Sequence, residues 1–249
     1  MRVLLVSDLH YALPHFDWVL EQSPDFDLVV LAGDQLDLSS SVPLESQIVV
    51  IRTYAARISQ QTSVVMCSGN HDLTARNQHD EKNAPWIEAA SQDGVACDWT
   101  TIDEGDLRIT VCPWWDGPKT KNDVDALLAK DAENRPRRWL WIYHYPPDGL
   151  PVSWVGSRHI GDADLNHWIE THRPDLVLTG HIHDSPFLNG GSWLARLGDS
   201  WVINAGSQRG PAPAHAMIDT DSGTAEWWSP FGTDQAQLWE PAPVAGTGQ

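Results

Sequence analysis

Five times the chain runs through a short apolar stretch and breaks off in a cluster of Asp, His, Asn or Gly. Val3–Val6 precedes Ser-Asp-Leu-His, Leu28–Leu31 precedes Ala-Gly-Asp, and Val64–Cys67 precedes Ser-Gly-Asn-His-Asp. Trp139–Tyr143 precedes His144-Tyr-Pro-Pro, and Leu176–Leu178 precedes Thr-Gly-His-Ile-His. Runs this short and this uniformly apolar read as strands buried on both faces, with polar loops at their C-terminal ends. Strands of that kind need helices to cover them. Helical spacing in Phe16–Gln22, Leu44–Gln60 and Ala163–His172 supplies three, and the β-α-β order predicts a parallel sheet in an α/β fold. Trp99–Ile102, Arg108–Val111, Trp201–Asn204, His215–Ile218 and Ala225–Trp228 read as strands without intervening helices that extend a second sheet. Asp148–Gly161 and Asn189–Gly191 read as surface loops rather than domain linkers. The expected organisation is one domain over 1–234 and a fraying tail over 235–249, where Pro and Gly replace apolar pattern.

Composition then narrows the partners. Thirty-four acidic against 16 basic residues give a formal charge of −18, the wrong sign for phosphate backbones or anionic lipid surfaces. A long nucleic acid is therefore not expected as substrate, and no membrane association is expected. With 41% hydrophobic residues the 249-residue chain has ample material for a core. Cys67, Cys97 and Cys112 form no CxxC pair or disulfide framework, which predicts a reducing compartment. The N-terminal apolar run ends at Ser7-Asp8, too early for a signal peptide, so a cytoplasmic location is expected. The 14 Trp residues are spread along the chain and read mostly as packing between layers.

The strand-end clusters are Asp8-x-His10, Gly33-Asp34, Gly69-Asn70-His71-Asp72, His144 and Gly180-His181-x-His183. C-terminal ends of neighbouring parallel strands face one crevice, so residues distant in sequence converge there. Carboxylate, imidazole and amide oxygen together suit Mn, Fe or Zn. Any one of these motifs alone reads equally as a turn or a helix cap. All five together, each after a strand, read as a dinuclear metal site.

This set, in this order, resembles the calcineurin-like metallophosphoesterase family from about Arg2 through Gly206. The resemblance implies a four-layer αββα sandwich of two mixed β-sheets flanked by helices. It implies a first metal site of Asp8, His10, Asp34 and His183, with Asp34 bridging to a second made by Asn70, His144 and His181. His71 would be the catalytic general acid, and Asp72 would orient and charge-stabilise its imidazole. Asn204-Ala-Gly-Ser resembles a family segment and reads as structural. Two divalent ions, Mn²⁺ favoured over Fe²⁺/Fe³⁺ or Zn²⁺, would clamp the attacking and leaving oxygens and supply hydroxide at neutral pH. Only Asp8 and Asp34 are anionic, so two such ions leave a positive inner shell that attracts phosphate even on an acidic protein.

The expected activity is metal-dependent phosphoester hydrolysis. His-Tyr-Pro-Pro resembles the His-x-Pro-Pro of small bacterial cyclic-nucleotide phosphodiesterases, which points to diesters of a small substrate. The alternatives are a phosphomonoesterase, a phosphoprotein phosphatase and an inactive scaffold. Several residues stay open at this point: Arg76 and Arg158 as phosphate contacts or solvated cations, His15, His79 and His159 as loop residues near the crevice, and Trp114-Trp115 as a base-stacking pair or as packing. Gly156-x-x-x-x-Gly161 lacks the Lys-Ser/Thr of a phosphate-cradling loop.

Overall fold

The computed structural model describes residues 1–241. In chain order the first half comprises β1 (Arg2–Val6), α1 (Leu13–Gln22), β2 (Leu28–Ala32), α2 (Leu44–Ser59) and β3 (Ser63–Cys67). A short hairpin of β4 (Ala75–Arg76) and β5 (Lys82–Asn83) follows, then α3 (Pro85–Ala89), β6 (Ala96–Cys97), β7 (Thr101–Glu104) and β8 (Leu107–Val111). Next come α4 (Pro118–Ala132), β9 (Arg138–Ile142), α5 (Ala163–His172), β10 (Leu176–Thr179), β11 (Leu194–Leu197) and β12 (Ser200–Asn204). A meander of β13 (His215–Asp219), β14 (Thr224–Ser229) and β15 (Gly232–Gln237) closes the described chain.

The strands form two main sheets, ordered β15-β14-β13-β1-β2-β3-β6 and β11-β12-β10-β9-β8-β7. β1, β2, β3 and β6 run parallel, as do β8, β9, β10 and β12, and antiparallel strands complete each sheet. Alternate side chains explain the uninterrupted apolar runs. Val3, Leu5, Val30 and Val65 of the first sheet face Ile109, Leu140, Leu178 and Ile203 of the second in one buried cluster. Their neighbours Leu4, Val29, Leu31 and Met66 point the other way, onto Phe16 and Val19 of α1 and Ile51 and Ile58 of α2. Trp139, Trp141 and Val177 back the second sheet against Val124 and Leu128 of α4 and Leu165 and Trp168 of α5. Both faces of the central strands are dry, and the result is the four-layer αββα sandwich.

Three expectations need correction. His215–Ile218 and Ala225–Trp228 extend the first sheet rather than the second, because β1 has β2 on one side only and β13 fills its other edge, pairing Val3 with Ile218. Helix α4 was not read from sequence. Its buried side is only Thr120, Val124, Leu128 and Asp131, two of them polar, so its apolar period is faint. The tail begins later than 235. Gln235–Gln237 pair with β14, Leu238 is buried, and the Arg138 guanidinium lies over the Trp239 ring at 4.6 Å. Residues 242–249 of the expected tail lie outside the described residues. Cys67, Cys97 and Cys112 are all buried free thiols. No helix among the described residues is long and apolar enough to cross a membrane.

Candidate metal centre

The loops leaving β1, β2, β3, β9 and β10 meet at one end of the two sheets. His183 Nε2 lies 3.2 Å from Asp8 Oδ1 and 3.0 Å from His10 Nε2. His144 Nε2 lies 3.3 Å from Asp34 Oδ2 and 3.7 Å from Asp8 Oδ1, which joins the two carboxylates into one cluster. Asp8, His10 and His183 present ligand atoms all within 4.8 Å of one another, and so do Asp34, His144 and His181. Asp34 thus stands in both neighbourhoods, since it forms a third such group with His10 and His71.

The backbone is bent sharply to bring these groups together. Asp8, His10, Asp34 and His181 all have left-handed φ values, 54°, 43°, 53° and 65°, a conformation that costs a non-glycine residue about 1–2 kcal/mol. Such strain persists where surrounding contacts overdetermine it, and it clusters at functional sites. Here the contacts are visible. Asp8 N donates to Gly33 O, the His181 amide donates to the Asp8 carboxylate at 3.0 Å, and the His71 amide donates to Asp34 Oδ1 at 2.8 Å. His144 Nδ1 donates to Ala32 O at 2.7 Å and His10 Nδ1 to Leu36 O at 3.2 Å, so each ring turns Nε2 toward the cluster. Two glycines make room. A Cβ at Gly33, which has φ +85°, would lie 2.3 Å from His144 Nδ1, and one at Gly69 would lie 2.2 Å from Asp34 Oδ1. Asn204 ties the neighbouring loops, donating to Val152 O and Ile182 O and accepting from Gly206 N, in keeping with a structural role.

The calcineurin-like phosphoesterase profile matches residues 1–185, which hold Asp8, His10, Asp34, Asn70, His144, His181 and His183. The chain belongs to that family. No curated protein shows significant sequence similarity to it. Among solved structures, TT1561 of Thermus thermophilus is 15% identical with a TM-score of 0.59, over 96% of this chain and 99% of that one. Purple acid phosphatase PPD1 from yellow lupin is 13% identical with a TM-score of 0.55, over 96% of this chain and 51% of that one. These likenesses establish the shared fold.

Family membership makes this a metal-dependent phosphoesterase, and the donor set suits divalent cations. Asn70 Oδ1 and His144 Nε2 are buried and accept or donate no hydrogen bond among the described residues. Buried polar atoms without partners are rare, and His144 Nε2 faces the Asp34 and Asp8 carboxylates. The cluster's electrostatics also call for positive charge. Burial would depress the His144 imidazole, but the Asp34 and Asp8 carboxylates raise it to about 10. Burial likewise opposes ionisation of Asp8, yet His144 and His183 hold its carboxyl well below the ordinary carboxylate range. Burial, reinforced by His144, lowers His181 to about 4, so that ring stays neutral and keeps a lone pair to offer.

Asp72 departs from its expected role. Its Oδ1 accepts from the amides of Gln35 and Leu36 at 3.0 and 3.1 Å, and its Oδ2 from Gly69 N at 2.9 Å. With both oxygens turned to backbone it does not touch the His71 ring, whose Nδ1 is buried without a partner. Residues adjacent on the tight Asn70–Asp72 turn point in different directions, which is why sequence proximity misled. Asp72 instead clamps the Asp34 loop to the Asn70 turn.

The other residues left open by the sequence have the following surroundings in this phosphoesterase. Arg76 is exposed and paired with Asp80. His79 and Arg158 are exposed, and His159 Nδ1 bonds Leu150 O. Trp114 stacks on Tyr145 at 5.1 Å and leans on the rings of His144 and His181, while Trp115 Nε1 donates to Asp162. His15 does reach the crevice, where its Nε2 donates to Gly210 O at 2.8 Å. Sequence reading missed Phe187, Arg209 and Phe231, which line a cleft of about 840 Å³ together with His10, His71 and His183. Those residues fall outside any strand-end motif, so no local signal marked them.

Proposed function

We propose that this protein hydrolyses small phosphodiesters, with Asp8, His10, Asp34 and His183 holding one divalent cation and Asp34, Asn70, His144 and His181 a second. The observation that carries the reading is the shared position of Asp34, within ligand reach of both histidine groups. When bound, the cations would neutralise charge on the phosphoryl oxygens and acidify a water to serve as nucleophile. The protein's own part is orientation and proton supply. Bonds from His10 Nδ1 and His144 Nδ1 to carbonyls fix the ligand rings before any substrate arrives. His71, anchored by its amide on Asp34 and packed against the His10 ring at 4.7 Å, hands a proton from Nε2 to the departing alkoxide.

A formal charge of −18 supports a compact substrate, because a polynucleotide would need a basic track. Mn²⁺ is the favoured pair of ions, and the reading places the enzyme in the cytoplasm. The test compares initial rates on bis(p-nitrophenyl) phosphate and p-nitrophenyl phosphate with Mn²⁺-reconstituted enzyme, each against a chelator control. Faster, chelator-sensitive diester cleavage is expected, whereas a monoester preference overturns the diester assignment. His71→Ala is expected to keep its metal content while kcat falls by about 10²–10⁴. Unchanged kcat would remove His71 as the acid.

A further inference from the structure

The cleft beside the metal centre is larger than a phosphoryl group requires. At about 840 Å³ it falls in the range of cavities that enclose whole organic ligands. Its lining includes His10, His71 and His183 of the metal centre together with Phe187, Phe231 and Arg209. Two features of the last three are unusual for a surface. Phe231 sits at the tip of the β14–β15 hairpin with 79% of its area exposed, and its ring meets Phe187 edge to face at 5.8 Å. Phe187 is in turn packed on Trp227 of the core at 5.6 Å, so the inner ring is fixed while the outer ring keeps a bare face.

Arg209 is the sole Lys or Arg among the residues lining the cleft, on a protein with more than twice as many acids as bases. Its loop is held from both ends. Ser207 Oγ donates to Asp8 O at 2.9 Å and Ser207 N to His183 O at 3.1 Å, which ties one side to the metal centre. His15, reaching from α1, bonds Gly210 O and ties the other. Gln208 Nε2 closes the turn on Ala212 O at 2.6 Å. Arg209 itself stays exposed and makes no ion pair among the described residues, so the fold spends three side chains to present an uncommitted guanidinium.

We infer that this arm of the cleft is a binding subsite for a planar aromatic substituent of the phosphoester, with Phe187 and Phe231 taking the ring and Arg209 taking anionic oxygen. The inference deepens the proposed phosphoesterase reading and rests on it. Aromatic rings prefer edge-to-face or offset contacts, and the Phe231 face offers one to an incoming ring while Phe187 supports it from behind. A guanidinium complements phosphoryl oxygen with forked donors and also tolerates an aromatic neighbour, so both contacts are compatible with one aryl phosphoester.

The test measures binding of phenylphosphonate and methylphosphonate to Mn²⁺-loaded full-length protein by calorimetry. The expected result is phenyl binding at least about fivefold tighter than methyl in the wild type, the size of one aromatic contact. Phe231→Ala should bring that ratio near one, and its melting temperature should stay put because the side chain is exposed. Arg209→Ala should weaken both phosphonates together, with partial recovery in Arg209→Lys. Equal affinity for the two in the wild type, loss of both in Phe231→Ala, or a phenyl preference untouched by Phe231→Ala would each overturn the subsite. The ester-hydrolysis assay fails separately: a retained phenyl preference without turnover refutes the proposed activity and leaves the subsite standing.

Discussion

Replacing Asp72 by Asn separates two roles that its place next to His71 would confuse. Asn can keep Oδ1 on the Gln35 and Leu36 amides, but it then turns an NH₂ toward Gly69 N, where Asp72 Oδ2 accepts at 2.9 Å. One buried backbone donor loses its partner, at a cost of about 1–3 kcal/mol. For a chain of this length that corresponds to a melting temperature lower by roughly 2–12 °C. The larger effect should fall on the metal centre, since the amides Asp72 holds belong to the loop carrying Asp34 and the turn carrying Asn70. Losing a hydrogen-bonded support of that kind typically weakens metal affinity by about 10–100-fold. Rates at limiting Mn²⁺ should therefore drop, and titration with excess Mn²⁺ should restore most of kcat. The reasoning is refuted if Asp72→Asn keeps full metal content and wild-type melting yet loses kcat by orders of magnitude without rescue. That pattern would make Asp72 a direct charge partner of His71.

Gly33→Ala places a methyl 2.3 Å from His144 Nδ1 at a φ of +85°, so the ring must leave its bond to Ala32 O. Metal content by elemental analysis should fall sharply, and stability should drop by at least about 1–2 kcal/mol from the backbone alone; full metal occupancy would contradict this. Asp98 is buried, and burial raises its carboxyl to about 7 despite a bond from Ser68 N. Its folded pKa is thus above the unfolded one, so the folded state holds the proton longer and stability declines as pH climbs from about 4 to about 7. Asp98→Asn removes that decline, and the urea-unfolding free energy of the variant relative to wild type should rise by up to about 1.4 kcal/mol per pH unit across this window and level off above it. A difference that does not vary with pH would show that Asp98 ionises normally.

The strands and most of the site were legible because one physical fact produces both. A strand dry on two faces leaves no polar residue inside it, so polar residues crowd its end, and in parallel strands the ends coincide. Asp8, His10, Asp34, Asn70, His144, His181 and His183 stand out for that reason. Helix α4 did not, because its buried side includes Thr120 and Asp131, whose value lies in partners elsewhere: Thr120 bonds Glu81, and Asp131 accepts from Thr101 and Thr110. Such pairings leave no periodic trace. Asp72 was placed in the right neighbourhood with the wrong contact, since a sequence motif records spacing but not the direction in which a side chain points. Phe187, Arg209 and Phe231 come from three separate segments, all beyond the matched family segment, so no local pattern joins them.

The position of β1 has a consequence for how the molecule is made. The strand that leads into Asp8 lies between β2 and β13, so residues 2–6 acquire their second neighbour only when residues 215–219 are available. The Met1 amino group closes the same seam, 2.8 Å from Asp221 Oδ2. During synthesis β1 therefore waits about two hundred residues for β13 with an apolar edge open, a slow, long-range closure of the kind that invites aggregation. A chain cut before His215 would retain every proposed metal ligand and still leave the middle of its first sheet unpaired, so maturation of the site is tied to the arrival of its most distant strand.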